Sequence, residues 1–144
     1  MKKYIILGLI IAVILIGGAI VLTPTTGTSN NTVLGATSAY SHIAPDQFNK
    51  AIASGKFTLI DIRTIDEFNA GHIKTAKQAD YYQTQKFSDY LDSLNKNANY
   101  LIYCHTGRRS GLALQIMQQK GFTTVYDLSG GYAAWTAANY PVEK

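Results

Sequence analysis

Tyr100–Gln119, YLIYCHTGRRSGLALQIMQQ, joins a short apolar run to a helical pattern through a turn rich in glycine and arginine. Tyr100 to Tyr103 reads as a buried strand, and Leu112, Ala113, Ile116 and Met117 fall on one stripe of a helix that Gly121 ends. Cys104, the only cysteine of the chain, stands between them. The first turn of a helix has unpaired N–H groups and a positive dipole end, which favour thiolate over thiol. Arg108 and Arg109 add fixed charge, Gly107 lets the turn bend tightly, and residues 105–109 can aim successive N–H groups at one point as an anion nest. The spacing therefore predicts a reactive thiolate at Cys104.

Outward from this stretch, strand and helix signals alternate. Tyr40 to Ile43 is a strand candidate, Pro45 opens a helix with Phe48 and Ile52 on one face, and Gly55 ends it. Phe57 to Ile62 reads as a strand buried on both faces. Thr64 caps a short helix with Glu67 three residues on, closed by Gly71. Thr75 to Ala79 is a weak edge strand, and Phe87, Tyr90, Leu91 and Leu94 form the next helix stripe. Thr123 to Tyr126 is the last strand, followed by a turn and a helix over 132–138. Strands separated by helices imply an α/β domain with a mostly parallel sheet flanked by helices on both faces, whose ligand site lies beyond the carboxyl ends of the strands.

The chain of 144 residues suits one such domain, over 40–144, with appendages. Ile5 to Leu22 carries no charge and is as long as a membrane-spanning helix, so residues 1–22 are expected to form an uncleaved anchor; a signal segment cleaved near Ala36 or Ala39 is the alternative. Lys2 and Lys3 place the N-terminus in the cytoplasm and the domain on the extracytoplasmic side, or secreted if cleaved. Residues 23–39, poor in charge and rich in Thr, Ser, Asn and Gly, read as a flexible linker. The formal charge is +4; with Lys2 and Lys3 set aside, 11 basic residues face 9 acidic ones, which predicts no nucleic-acid partner. A single cysteine excludes an intrachain disulfide, a C-x-x-C redox pair and a multi-cysteine zinc site.

Three stretches together resemble the rhodanese-like sulfurtransferase family: Asp61–Ile73, DIRTIDEFNAGHI; Cys104–Ser110, CHTGRRS; and Leu128–Trp135, LSGGYAAW. The resemblance implies a five-stranded rhodanese-like fold, a Cys104 persulfide intermediate, and transfer of sulfane sulfur from thiosulfate or a persulfide donor to cyanide or a thiol acceptor, small or protein-borne. No metal or organic cofactor is expected. The donor would be held by His105, Thr106, Gly107, Arg108 and Arg109. Phosphatases with a cysteine nucleophile place an arginine six positions after it, whereas Arg109 lies five after Cys104 and the next residue is Ser110. By resemblance the shorter loop suits sulfur, with arsenate reductase or phosphatase as an alternative reading. A membrane-tethered persulfide carrier or docking module with little turnover is another.

Supporting roles fall to Asp61, expected to tie down the cysteine loop, and to Arg63, expected to pair with Glu67 or a substrate anion. His72 is expected to bond helix carbonyls, and Trp135 with Tyr132 to pack the last helix. Lys74, Thr75 and Ala76 replace the family's usual Pro-Gly-Ala, a departure that bears on the third strand.

Overall fold

The computed structural model describes residues 39–144. Five strands, β1 (Ala39–Ile43), β2 (Thr58–Asp61), β3 (Lys77–Gln78), β4 (Asn99–Tyr103) and β5 (Thr124–Leu128), form one sheet in the order β1-β5-β4-β2-β3. Every pairing is parallel, so all carboxyl ends share one edge. Five helices, α1 (Pro45–Ala53), α2 (Ile65–Ala70), α3 (Thr84–Ser93), α4 (Arg108–Gln119) and α5 (Gly131–Ala137), alternate with the strands.

The alternation of side chains along the central strands builds two cores. Leu59, Leu101, Tyr103 and Leu128 meet Phe48 of α1 and Trp135 of α5 on one face. Ile60, Tyr100, Ile102 and Val125 meet Phe87 and Leu91 of α3 and Ala113, Leu114 and Met117 of α4 on the other. Cys104, the residue after β4, lies on this second face. The α4 stripe is displaced from the expected one. Leu112 is exposed, and the buried set is Ser110, Ala113, Leu114 and Met117. Their i, i+3, i+4, i+7 spacing begins on a polar residue, which hid the stripe's true phase.

Ala39, expected to end the linker, is instead the first residue of β1. The expected anchor at 1–22 and the rest of the linker lie outside the described residues, and among these no helix is long and apolar enough to cross a membrane.

The third strand is shorter than its sequence suggested, two residues at the sheet edge. Ala76 N–H donates to Ile73 O, closing a turn in which Thr75 has φ 69°. That is a left-handed conformation glycine adopts freely and a β-branched residue resists. The departure from the family pattern thus falls on a strained residue. Thr75→Gly relieves a cost of roughly 1–2 kcal/mol, partly offset by the extra freedom glycine has when unfolded. Equilibrium urea unfolding should show a net gain of about 1 kcal/mol; a loss would mean that the threonine side chain is needed there.

Candidate active site

Cys104 leaves β4 and the chain turns at once into α4. Gly107, with φ 93°, makes that turn possible, and a Cβ there would already touch Gly130 N at 3.4 Å. The loop is oriented from behind by the start of α5: Tyr132 N–H donates to Cys104 O at 2.8 Å and Ala133 N–H to His105 O at 2.9 Å. Gly131 sits so close that a Cβ would lie 2.5 Å from Cys104 O, so no side chain fits. With its carbonyls held on that side, the loop turns its N–H groups toward the sulfur.

Gly107 N–H donates to Cys104 Sγ at 3.1 Å, and the Ser110 hydroxyl lies 3.5 Å from it. Cys104 is 1% exposed. Burial pushes its thiol up, but the Ser110 hydroxyl and the N–H groups of Ser110, Thr106 and Gly107 outweigh burial and leave it below its ordinary value. The anion is therefore stabilised by hydrogen bonds at close range. Ser110, read in the sequence only as the residue that stands six positions after Cys104 where a phosphatase has its arginine, is fully buried and belongs to the site.

Over the cysteine loop, Glu67, Tyr82, His105, Thr106, Arg108 and Arg109 line an open depression. His105, Thr106 and Arg108 are exposed at its rim, and Arg108 has no carboxylate partner among the described residues. Arg109 is committed elsewhere. Its Nη1 and Nη2 donate to the two oxygens of Glu67 at 2.8 and 2.7 Å, and its guanidinium lies 5.2 Å from the Tyr82 ring centre. Glu67 also accepts from Thr64 N–H at 3.0 Å, completing the capping box of α2, so one carboxylate fastens the helix start to the cysteine loop. Tyr82 carried no sequence signal.

The supporting residues pair differently from expectation. Arg63 does not reach Glu67: it precedes α2, outside helical spacing, and curls back on Asp61. Its Nη2 donates to Asp61 Oδ2 at 2.6 Å and to Gly71 O at 2.7 Å, under the Tyr132 ring at 4.0 Å. Asp61, in turn, accepts from Arg63 N–H at 2.9 Å and makes no hydrogen bond to residues 105–109. The two form a buried ion pair closing the β2–α2 corner. Of the three, only Glu67 touches the loop. His72 places Nδ1 3.1 Å from Phe68 O, a helix carbonyl as expected, and Trp135 is buried in the core with Nε1–H donating to Pro141 O at 3.0 Å. Among the described residues no cluster of three or more His, Cys, Asp or Glu is placed to hold a metal ion.

A thiol at the focus of a short loop, at the carboxyl edge of a five-stranded parallel sheet, agrees with the family comparison. The model of the rhodanese-like domain matches residues 44–138, and the chain belongs to that family. It is 31% identical over 106 residues to the thiosulfate sulfurtransferase GlpE of Pseudomonas putida, covering 74% of this chain and 93% of that one. It is 29% identical over 102 residues to the tRNA uridine(34) hydroxylase of Chlamydia abortus, but spans only 31% of that relative's length. Among solved structures, a rhodanese-like domain protein from Staphylococcus aureus is 30% identical with a TM-score of 0.58, over 67% of this chain and 90% of that one.

The Arg109 hydrogen bonds lower the Glu67 carboxyl from 4.5 to about 2. A group depressed on folding contributes stability that is complete above its unfolded value and is lost as pH falls through its folded one. Wild type should therefore exceed Glu67→Gln by about 1 kcal/mol at pH 7, allowing for partial exposure, with the margin closing between about pH 4.5 and 2. Urea unfolding of both across that range checks it; a constant margin would contradict the pairing.

Proposed function

We propose that the chain is a sulfurtransferase working through a Cys104 persulfide. The observation that carries this reading is the loop: its N–H groups converge on Cys104 Sγ, while Arg109, five positions on, is matched by Glu67 and so is not free for a phosphate or arsenate. The Cys104 thiolate attacks the outer sulfur of thiosulfate, a sulfur–sulfur bond to Cys104 forms, the bond to the sulfonate breaks, and sulfite leaves with its electron pair. The charge then rests on the outer persulfide sulfur, stabilised by the loop N–H groups. Arg108, exposed at the rim with no carboxylate partner among the described residues, supplies positive charge for the departing sulfite, and His105 and Thr106 border the entering donor. Cyanide or a thiolate takes the outer sulfur, and the Cys104 thiolate is restored. The likeness to a thiosulfate sulfurtransferase along nearly its whole length supports the donor class.

The uncharged run Ile5 to Leu22 behind Lys2 and Lys3 supports a location tethered to a membrane with the domain outside it. Reducing thiols are scarce there, so a protein thiol is the acceptor class that fits.

Incubation of the full-length chain with thiosulfate, followed by intact-mass measurement, should show the gain of one sulfur atom, absent in Cys104→Ser. No gain would overturn the reading; a gain that neither cyanide nor a thiol discharges would make the protein a carrier.

A further inference from the structure

Asp127 is not used by the chemistry above, yet it is 1% exposed on the core face of β5. A buried carboxylate is costly unless held. The parallel register sets it between His42 of β1 and Ile102 of β4, with Cys104 two residues further along the same face. His42 Nδ1 lies 2.7 Å from Asp127 Oδ2. Asp127 Oδ1 is buried and has no hydrogen-bond partner among the described residues. Above the pair lies the first turn of α4: a Cβ on Gly111 would be 3.5 Å from His42 Cε1, and Ser110, one residue earlier, is fully buried with its hydroxyl 3.5 Å from the sulfur and near enough to Asp127 to draw that carboxyl down. Ser110 has one proton to donate: its hydroxyl lies 3.3 Å from Gly107 O and 3.5 Å from Cys104 Sγ, and the Asp127 carboxylate, to which it makes no hydrogen bond here, is the third acceptor nearby.

We infer that His42 and Asp127 are positioning residues for Cys104, acting through Ser110: Asp127 Oδ1 competes with the sulfur for the Ser110 hydroxyl proton, and His42, by holding Oδ2, weakens that competition. The inference takes its purpose from the sulfurtransferase reading. With the charge on Cys104 Sγ, the sulfur draws the hydroxyl and leaves Oδ1 without a partner among the described residues. When sulfur is loaded, the charge moves to the outer sulfur and Sγ becomes a weak acceptor. The hydroxyl then turns to Oδ1, so loading satisfies a buried oxygen that the empty state strands. Burial pushes the Asp127 carboxyl up, against the pull of Ser110, of His42 and of Leu128 N–H. Among the described residues His42 is the one titratable group bearing on it, while the charge bearing on Cys104 is Arg109, matched by Glu67.

The test is the rate of Cys104 alkylation by iodoacetamide against pH in the full-length chain. It requires no sulfur donor, so it reads the thiol's surroundings even if sulfur transfer fails. Asp127→Asn frees the hydroxyl for the sulfur and should lower the midpoint, whereas His42→Ala strengthens the competitor and should raise it, each by about half to one pH unit. Ser110→Ala should raise the midpoint and abolish both shifts in the double variants. Shifts of the same sign, no shift, or shifts that persist undiminished without Ser110 would overturn the inference. His42 is exposed, so His42→Ala keeps the test decisive if Asp127→Asn fails to fold. The loaded fraction after thiosulfate, read by mass, should also fall in Asp127→Asn. Absence of loading in the wild type with the opposed alkylation shifts intact would discard the sulfurtransferase reading and leave the Ser110 relay standing.

Discussion

A sulfur anion that is almost wholly buried must be surrounded by donors, and much of this domain's architecture follows from that requirement. Burial raises a thiol's pKa, and only close, well-aimed N–H and O–H groups reverse the effect. The loop meets the requirement by separating its two kinds of backbone group. The start of α5 holds the carbonyls of Cys104 and His105, and the N–H groups are left to face Sγ. This is why the Leu128–Trp135 stretch matters to a residue some thirty positions away in sequence. Gly131 is the point of contact between the two, and it has room for no side chain.

The second consequence concerns charge. An arginine beside a nest would be the natural anchor for a tetrahedral oxyanion, but Arg109 is held bidentately by Glu67, which also caps α2. The pair therefore fixes the position of the loop relative to α2 and leaves the nest to act through backbone dipoles. Arg108, at the rim, is exposed to solvent. Asp61 and Arg63 perform a comparable fastening one corner away, closing β2 onto Gly71 without entering the site.

Much of the fold was legible in the sequence because its strands are buried on both faces and read as apolar runs, and because Thr64, Glu67 and the glycines mark helix ends. The thiol and its loop were legible for the same reason: a strand ending on cysteine before Gly-Arg-Arg has few other uses. What sequence spacing missed was partner choice. Arg63 and Glu67 are four apart, but the helix begins after Arg63, so the spacing is not helical and the ion pairs rearrange to Asp61–Arg63 and Glu67–Arg109. The phase of α4 is hidden in the sequence because its buried stripe opens on Ser110, a polar residue turned inward beside the sulfur. His42 and Asp127 meet only through the β1–β5 register, which local sequence does not encode.

If the loop holds a transferable sulfur atom on Cys104, a pulse-chase with thiosulfate labelled in its outer sulfur will follow that atom onto the protein and off it again. The full-length chain is loaded, freed of donor, and offered cyanide or a thiol. One labelled sulfur per chain should attach to Cys104 and leave wholly with the acceptor as the free thiolate returns. Label that never attaches, or that attaches equally to Cys104→Ser, would contradict the account.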